Sequence, residues 1–267
     1  MSEYFLKHNI GFDEYITGNR FIDICDNTSA SFCKTDYISN FTNKRTNVLI
    51  THNSDYHINE NRFKLGPQCN FWFAQNKDFE DDKIISIPIG IENMILRTSP
   101  ESRGGAWSSQ INGAYEKALL INRINDMQFE KNLDVYMNFN LRTYPQERSY
   151  VWNHFQNEKW VTKTNNISIE QFYLDIASHK FVLSPRGNGV DCHRTWEALY
   201  LRTIPIVKKS THMKQFEDLP IFFVDNWDEV CYNKLVDFYE KVKSSLYDLS
   251  KMKMSFWRQR INEKLSI

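Results

Sequence analysis

With 267 residues the chain has room for two domains of ordinary size, and its 33 basic and 33 acidic residues cancel. That balance excludes a broadly basic nucleic-acid surface and an acidic tail, so any anion site must be built locally. Apolar residues at 41% and aromatics at 15%, against only 9 Gly and 7 Pro, describe a packed globular chain with little flexible linker.

The N-terminus, MSEYFLKHNIGFDEY, has no apolar core of signal-peptide length, and no later stretch is long and apolar enough for a bilayer. A soluble, cytoplasmic protein is therefore expected. Cys25, Cys33, Cys69, Cys192 and Cys231 form no C-x-x-C pair, so no metal site is expected, and their odd number fits reduced thiols. Three Asn-x-Ser/Thr tripeptides begin at Asn27, Asn40 and Asn166, but nothing else points to secretion.

The first forty or so residues read as irregular, with an alternating run at Phe21-Ile22-Asp23-Ile24-Cys25 that fits a strand. Asn47 to Thr51 is a buried strand leading into the polar cluster His52-Asn53-Ser54-Asp55-Tyr56-His57. Phe71 to Ala74 is a second strand, ending in Gln75-Asn76, and Lys83 to Ile89 a third, ending in Gly90-Ile91-Glu92-Asn93. Three strands that each end in polar residues mark a cleft-facing edge in the first half. Ser99 to Gly105, with Pro100, Arg103 and two adjacent glycines, reads as a loop or lid. Helices are predicted over Ala114 to Asp126, Glu147 to Phe155, Ser168 to Ser178 and Asn233 to Leu249, with Ser168 as an N-cap and Gln171 three residues on. Leu133 to Phe139 and Ile221 to Val224 read as strands, and Met252 to Leu265 as a terminal helix.

The most informative stretch is FVLSPRGNGVDCHRTWEALYLRTIPIVK, residues 181–208. An apolar strand stops at Ser184-Pro185. A loop follows with Arg186, Gly187 and Gly189, then a helix opening at Asp191 or Cys192, then a second strand from Thr203. Strand, glycine loop, helix and strand make half of a doubly wound α/β sheet, whose ligands lie beyond the carboxyl ends of the strands. Free N–H groups at a helix start, two glycines, Arg186, His193 and Arg194 suit a nucleotide diphosphate. Glu197, one turn on, suits ribose hydroxyls. The loop matches neither G-x-x-x-x-G-K-[ST] nor G-x-G-x-x-G, which disfavours P-loop and hydride-transfer enzymes.

Ser184, Pro185, Arg186, Gly187, Asp191, His193, Arg194, Trp196, Glu197, Ala198 and Pro205 stand in the order of the signature that this stretch resembles, that of the exostosin-like glycosyltransferases. Asn138 to Arg142 and the His52–Asp55 cluster fit that family more loosely. The resemblance implies two Rossmann-like α/β domains facing across a cleft, the GT-B fold. It also implies inverting, generally metal-independent transfer from a nucleotide sugar, mostly UDP-linked, with the donor in the C-terminal domain. The expected division is an acceptor-side domain over residues 1–127, a donor domain over 128–251, and a final helix over 252–267 that crosses back to the first domain.

Inversion needs a base for the acceptor hydroxyl and fixed donors for the leaving diphosphate. Arg186 and Arg194 are assigned the second task, with Arg142 and His193 as helpers. Ser184 and Gly187 belong to the same donor signature. Asp191 either orients His193 or Arg194, or binds the sugar. Asp55 is the first candidate base and Glu92 the second, with His52, His57 and Asn93 nearby on the acceptor side. The expected partners are a nucleotide sugar and a glycan or glycoprotein acceptor, with no cofactor, nucleic acid or membrane span. The rival reading is a nucleotide- or carbohydrate-binding module without catalysis.

Overall fold

The computed structural model describes residues 9–26, 28–41, 44–64, 68–92 and 113–267. In chain order these form α1 (Gly18–Asp26), β1 (Ser31–Lys34), β2 (Arg45–His52), α2 (Glu60–Lys64), β3 (Gln68–Ala74), β4 (Ile84–Ser86), α3 (Gly113–Asp126), β5 (Leu133–Met137), α4 (Pro145–Phe155), β6 (Val161–Lys163), α5 (Ile169–Ser178), β7 (His179–Leu183), α6 (His193–Tyr200), β8 (Ile204–Lys208), β9 (Phe222–Val224), α7 (Tyr232–Ser244) and α8 (Met254–Leu265). Asn93 and the Ser99–Gly105 loop lie outside the described residues.

The strands form two wholly parallel sheets, one of four strands in the order β1-β2-β3-β4 and one of five in the order β6-β5-β7-β8-β9. These are the two Rossmann-like α/β units expected. The second has the doubly wound order, with its chain direction across the sheet reversing between β5 and β7. The first is simpler, because its strands follow one another in sequence.

Parallel strands are buried on both faces, and β2 and β3 show it. Val48, Ile50 and Phe73 point into an apolar core continuous with the second sheet, while Leu49, Trp72 and Ala74 point into a smaller cluster on the opposite face. The alternating run at Phe21 is a helix instead of a strand. Phe21 and Ile24 are its core-facing positions, a three-residue spacing that a five-residue window does not separate from alternation. The Ser168 cap is present, its Oγ accepting from the Gln171 N–H at 3.1 Å.

The terminal helix α8 packs on α1 and β2 of the first sheet. Asn47 donates to the Lys264 carbonyl at 3.2 Å, the Lys264 ammonium sits 4.4 Å above the Phe71 ring, and Ser255 donates to Glu14 at 2.7 Å. Among the described residues no helix is long and apolar enough to cross a membrane.

Past β4 the chain turns at Gly90, with φ at +72° and the Ile91 N–H donating to the Ile16 carbonyl at 3.1 Å. A β-carbon at Gly90 would lie 2.0 Å from that carbonyl oxygen. Gly90→Ala therefore adds left-handed strain to a backbone clash, and should destabilise the protein by about 3 kcal/mol or more in urea unfolding.

Candidate functional site

The switch point of the second sheet lies where β5 runs into Asn138-Phe139 and β7 into Ser184-Pro185, and two arginines occupy it. Arg194, in the first turn of α6, donates from Nε to the Asn138 carbonyl at 3.2 Å and from Nη1 to the Pro185 carbonyl at 3.4 Å, so it straddles both strand ends. Arg148, from α4, donates from Nε to the Arg186 carbonyl at 2.8 Å and from Nη1 to the Asn140 carbonyl at 3.0 Å. Both guanidiniums lie over the Phe139 ring, 5.3 and 5.8 Å from its centroid. Arg148 is 6% exposed and Arg194 9%. Burial, with Arg194 beside it, works against the Arg148 cation and lowers its pKa. Neither arginine forms an ion pair among the described residues, and their Nη2 groups carry no hydrogen bond there.

Arg186 points elsewhere. Its guanidinium stacks 4.3 Å from the Tyr144 ring centroid, and its Nη2 donates to the Asn188 carbonyl at 3.0 Å and to His57 Nε2 at 2.7 Å. His57 Nδ1 lies 3.0 Å from Asp78 and its Nε2 also lies 3.0 Å from the Asn188 carbonyl, so Arg186, His57 and Asn188 meet at one point. Asp55 is exposed and accepts from the Asn188 side chain at 3.1 Å. The glycine loop is thus sewn to the strand ends of the first sheet through Asp55, His57 and Arg186. Gly189 belongs to the same seam: a β-carbon there would meet the Asn76 amide at 2.6 Å, so this glycine admits the first sheet and not a ligand.

Asp191 corrects the sequence reading. Its carboxylate is buried and accepts from Ile89 N and Cys192 N at 2.8 Å each, and from Trp196 Nε1 at 2.8 and 3.0 Å. His212 Nε2 faces it at 3.4 Å, with His212 Nδ1 accepting from the Lys77 N–H. With its oxygens so occupied, Asp191 neither orients His193 or Arg194 nor opens to a sugar. Ser184 is also sealed in, its Oγ 2.9 Å from Thr195 Oγ1 and 3.3 Å from Cys192 Sγ, where it pins α6 to β7. Arg142 is exposed, its N–H turned back to Asn140 Oδ1, and it stands at the rim. Gly187 lies beside the Arg148 guanidinium, with room to spare.

A second charged cluster sits on the face of α6 that carries Glu197. The buried Lys117 ammonium, from α3, is 2.8 Å from Glu197, 3.4 Å from Glu92 and 3.0 Å from the Ile91 carbonyl. Tyr173 donates to the same Glu197 oxygen at 2.7 Å. Burial opposes the Lys117 charge, but Glu197 and Glu92 outweigh it and raise its pKa, while burial and Glu197 hold Tyr173 protonated. His193 joins this group through Glu92, 4.0 Å away. Sequence reading missed Arg148, Lys117 and Tyr173. The signal for the two cations was present: each occupies a position on the buried stripe of an amphipathic helix, Lys117 with Ala114 and Ile121, Arg148 with Val151 and Phe155.

His52, at the end of β2, is buried and structural. Its Nε2 donates to the Pro88 carbonyl at 3.0 Å, Nδ1 accepts from Asn53 N at 2.8 Å, and burial lowers its pKa from 6.5 to about 4. Below pH 6.5 the unfolded chain takes up a proton that the folded protein refuses. Stability should therefore fall as pH drops from 6.5 to about 4, by at most about 3 kcal/mol, and His52→Gln should flatten this limb in urea unfolding series.

No protein-family model matches the sequence, and no curated protein does. Among solved structures, the chain is similar to an α1,3-fucosyltransferase with GDP-fucose, at 10% identity and TM-score 0.42 over 85% of this chain and 80% of that one. It is also similar to the UDP-GlcNAc 2-epimerase from Methanocaldococcus jannaschii, at 11% identity and TM-score 0.36 over 93% and 81% of the two chains. A third is AviGT4, a glycosyltransferase involved in avilamycin A biosynthesis, at 11% identity and TM-score 0.36 over 87% and 76%.

Proposed function

We propose that this protein is a glycosyltransferase that moves a sugar from a nucleotide sugar, with UDP as the expected carrier, to a glycan hydroxyl with inversion and without a metal. The observation that carries this reading is the Arg148–Arg194 pair at the β5/β7 switch point. Two buried like charges without a carboxylate partner are unfavourable on their own. An anion that accepts from both guanidiniums relieves the repulsion, and a diphosphate carries several oxygens able to accept from arginine forks. The location is where doubly wound sheets bind nucleotides. The ordered Ser184–Pro205 signature supports a sugar nucleotide over other diphosphates.

In this reading Arg148 and Arg194 meet the charge that develops on the diphosphate as its bond to the anomeric carbon breaks. Their side chains are already fixed by four carbonyl contacts, so they need no rearrangement at that moment. Glu197 offers its second oxygen, which has no hydrogen bond among the described residues, to a ribose hydroxyl, while Lys117 and Tyr173 hold the first. Arg186 closes the seam between the units, and Arg142 at the rim is free to approach the donor.

Arg194→Met and Arg148→Met should each weaken binding of UDP or GDP by about 10-fold or more, the worth of a charge-assisted hydrogen bond, as read by calorimetry. Wild-type affinity in both variants removes the diphosphate assignment. Sugar-nucleotide turnover should survive EDTA, and a loss restored by manganese would contradict the metal-free reading. Binding without turnover would leave a nucleotide-binding module.

A further inference from the structure

At the junction of the two units, His193 is held in one tautomer. Its Nδ1 lies 2.7 Å from the Gly90 carbonyl. A carbonyl oxygen only accepts, so the proton is on Nδ1 and the lone pair on Nε2. That Nε2 is 4.0 Å from Glu92 Oε1, beyond hydrogen-bond reach, and carries no hydrogen bond among the described residues. The His193 side chain is 34% exposed and that of Glu92 23%, so both are reachable from solvent. The other Glu92 oxygen is 3.4 Å from Lys117, which turns the carboxylate toward the imidazole.

This arrangement is that of a proton acceptor with its counter-charge in place. A proton arriving at Nε2 makes an imidazolium whose far side already donates to Gly90 and whose near side faces Glu92. His193 and Arg194 are adjacent in the first turn of α6, so one rigid helix start holds both the lone pair and the cation for the leaving group. Asp55 has no such setting, since it is exposed and occupied by Asn188.

We infer that His193 is the catalytic base and Glu92 its positioning carboxylate. This rests on the glycosyl-transfer reading. As the acceptor oxygen bonds to the anomeric carbon, the carbon–oxygen bond to the diphosphate breaks and its electron pair leaves with the nucleotide. The acceptor's hydroxyl proton passes to Nε2 of His193 and from there to solvent. The ionisable groups around the imidazole are Glu92 beyond β4, Lys117 on α3, His52 on β2, Asp191 at the helix start and Glu197 on α6.

The test begins with UDP and GDP sugars in a thermal-shift screen. The sugar nucleotide that raises the wild-type melting temperature most is then followed for release of nucleoside diphosphate, with water and simple sugars as acceptors. His193→Asn keeps a donor for the Gly90 carbonyl but offers no base. It should retain the thermal shift and lose about 100-fold or more in kcat. His193→Gln should do the same, and the shift itself reports that either variant is folded. Glu92→Gln should keep the thermal shift and lower kcat by about 10-fold with KM for the donor unchanged, a split that loss of a purely structural contact would not give. Wild-type turnover by both His193 variants overturns the inference, and so does loss with Asp55→Asn where His193→Asn stays active. Failure of every sugar nucleotide to shift the wild type, or binding without turnover by the wild type, removes the glycosyl-transfer reading instead.

Discussion

A carboxylate taken out of water has to be met on every side, and Asp191 is met from both halves of the molecule. Ile89 reaches it from the end of the first sheet, Cys192 and Trp196 from the start of α6, and His212 from beyond β8. Several neighbouring contacts of the seam gather around this placement. With Asp191 fixed, its own N–H meets Asn76 at 3.0 Å, Gly189 lies on the same amide, and α6 is aimed so that Arg194 crosses the two strand ends. Removing one partner of such a buried group leaves the rest uncompensated. The proposed anion site is therefore positioned by a residue that does not belong to it.

Much of this was legible in the sequence because the second sheet is built from local rules. An apolar strand broken by proline, a glycine loop and an amphipathic helix specify β7 and α6 with little help from the rest of the chain. The edge strands of both sheets were harder to read. β1 and β6 are short strands in polar surroundings, and α1 carries its apolar residues too sparsely for its period to show. Which residues of the proposed donor site open to the cleft was not legible either. Ser184, Asp191, Arg194 and Glu197 share one motif. Whether a side chain opens to the cleft or turns inward depends on partners far along the chain, Ile89 for Asp191 at 102 residues and Lys117 for Glu197 at 80.

The site's charges are arranged in two groups on neighbouring faces of α6. Arg148 and Arg194 lack carboxylate partners, whereas Glu197, Lys117 and Glu92 form a chain of alternating sign ending at His193. A buried cation pair has affinity for an incoming anion. An alternating chain is already satisfied and keeps its geometry when the neighbouring charge changes. The first suits binding and the second suits orientation.

The apolar core runs without interruption from Val48, Ile50 and Phe73 of the first sheet into the layers around β5 and β7. Tyr200 adds a polar tie through it, its hydroxyl accepting from Ile16 N at 3.2 Å and donating to the Met252 carbonyl at 2.7 Å. Although the topology divides into two sheets, the solvent-excluded interior does not. Separating the sheets would expose a shared hydrocarbon surface on each, so neither half is a self-sufficient fragment. A motion that parted the two sheets would cost that apolar burial on both sides.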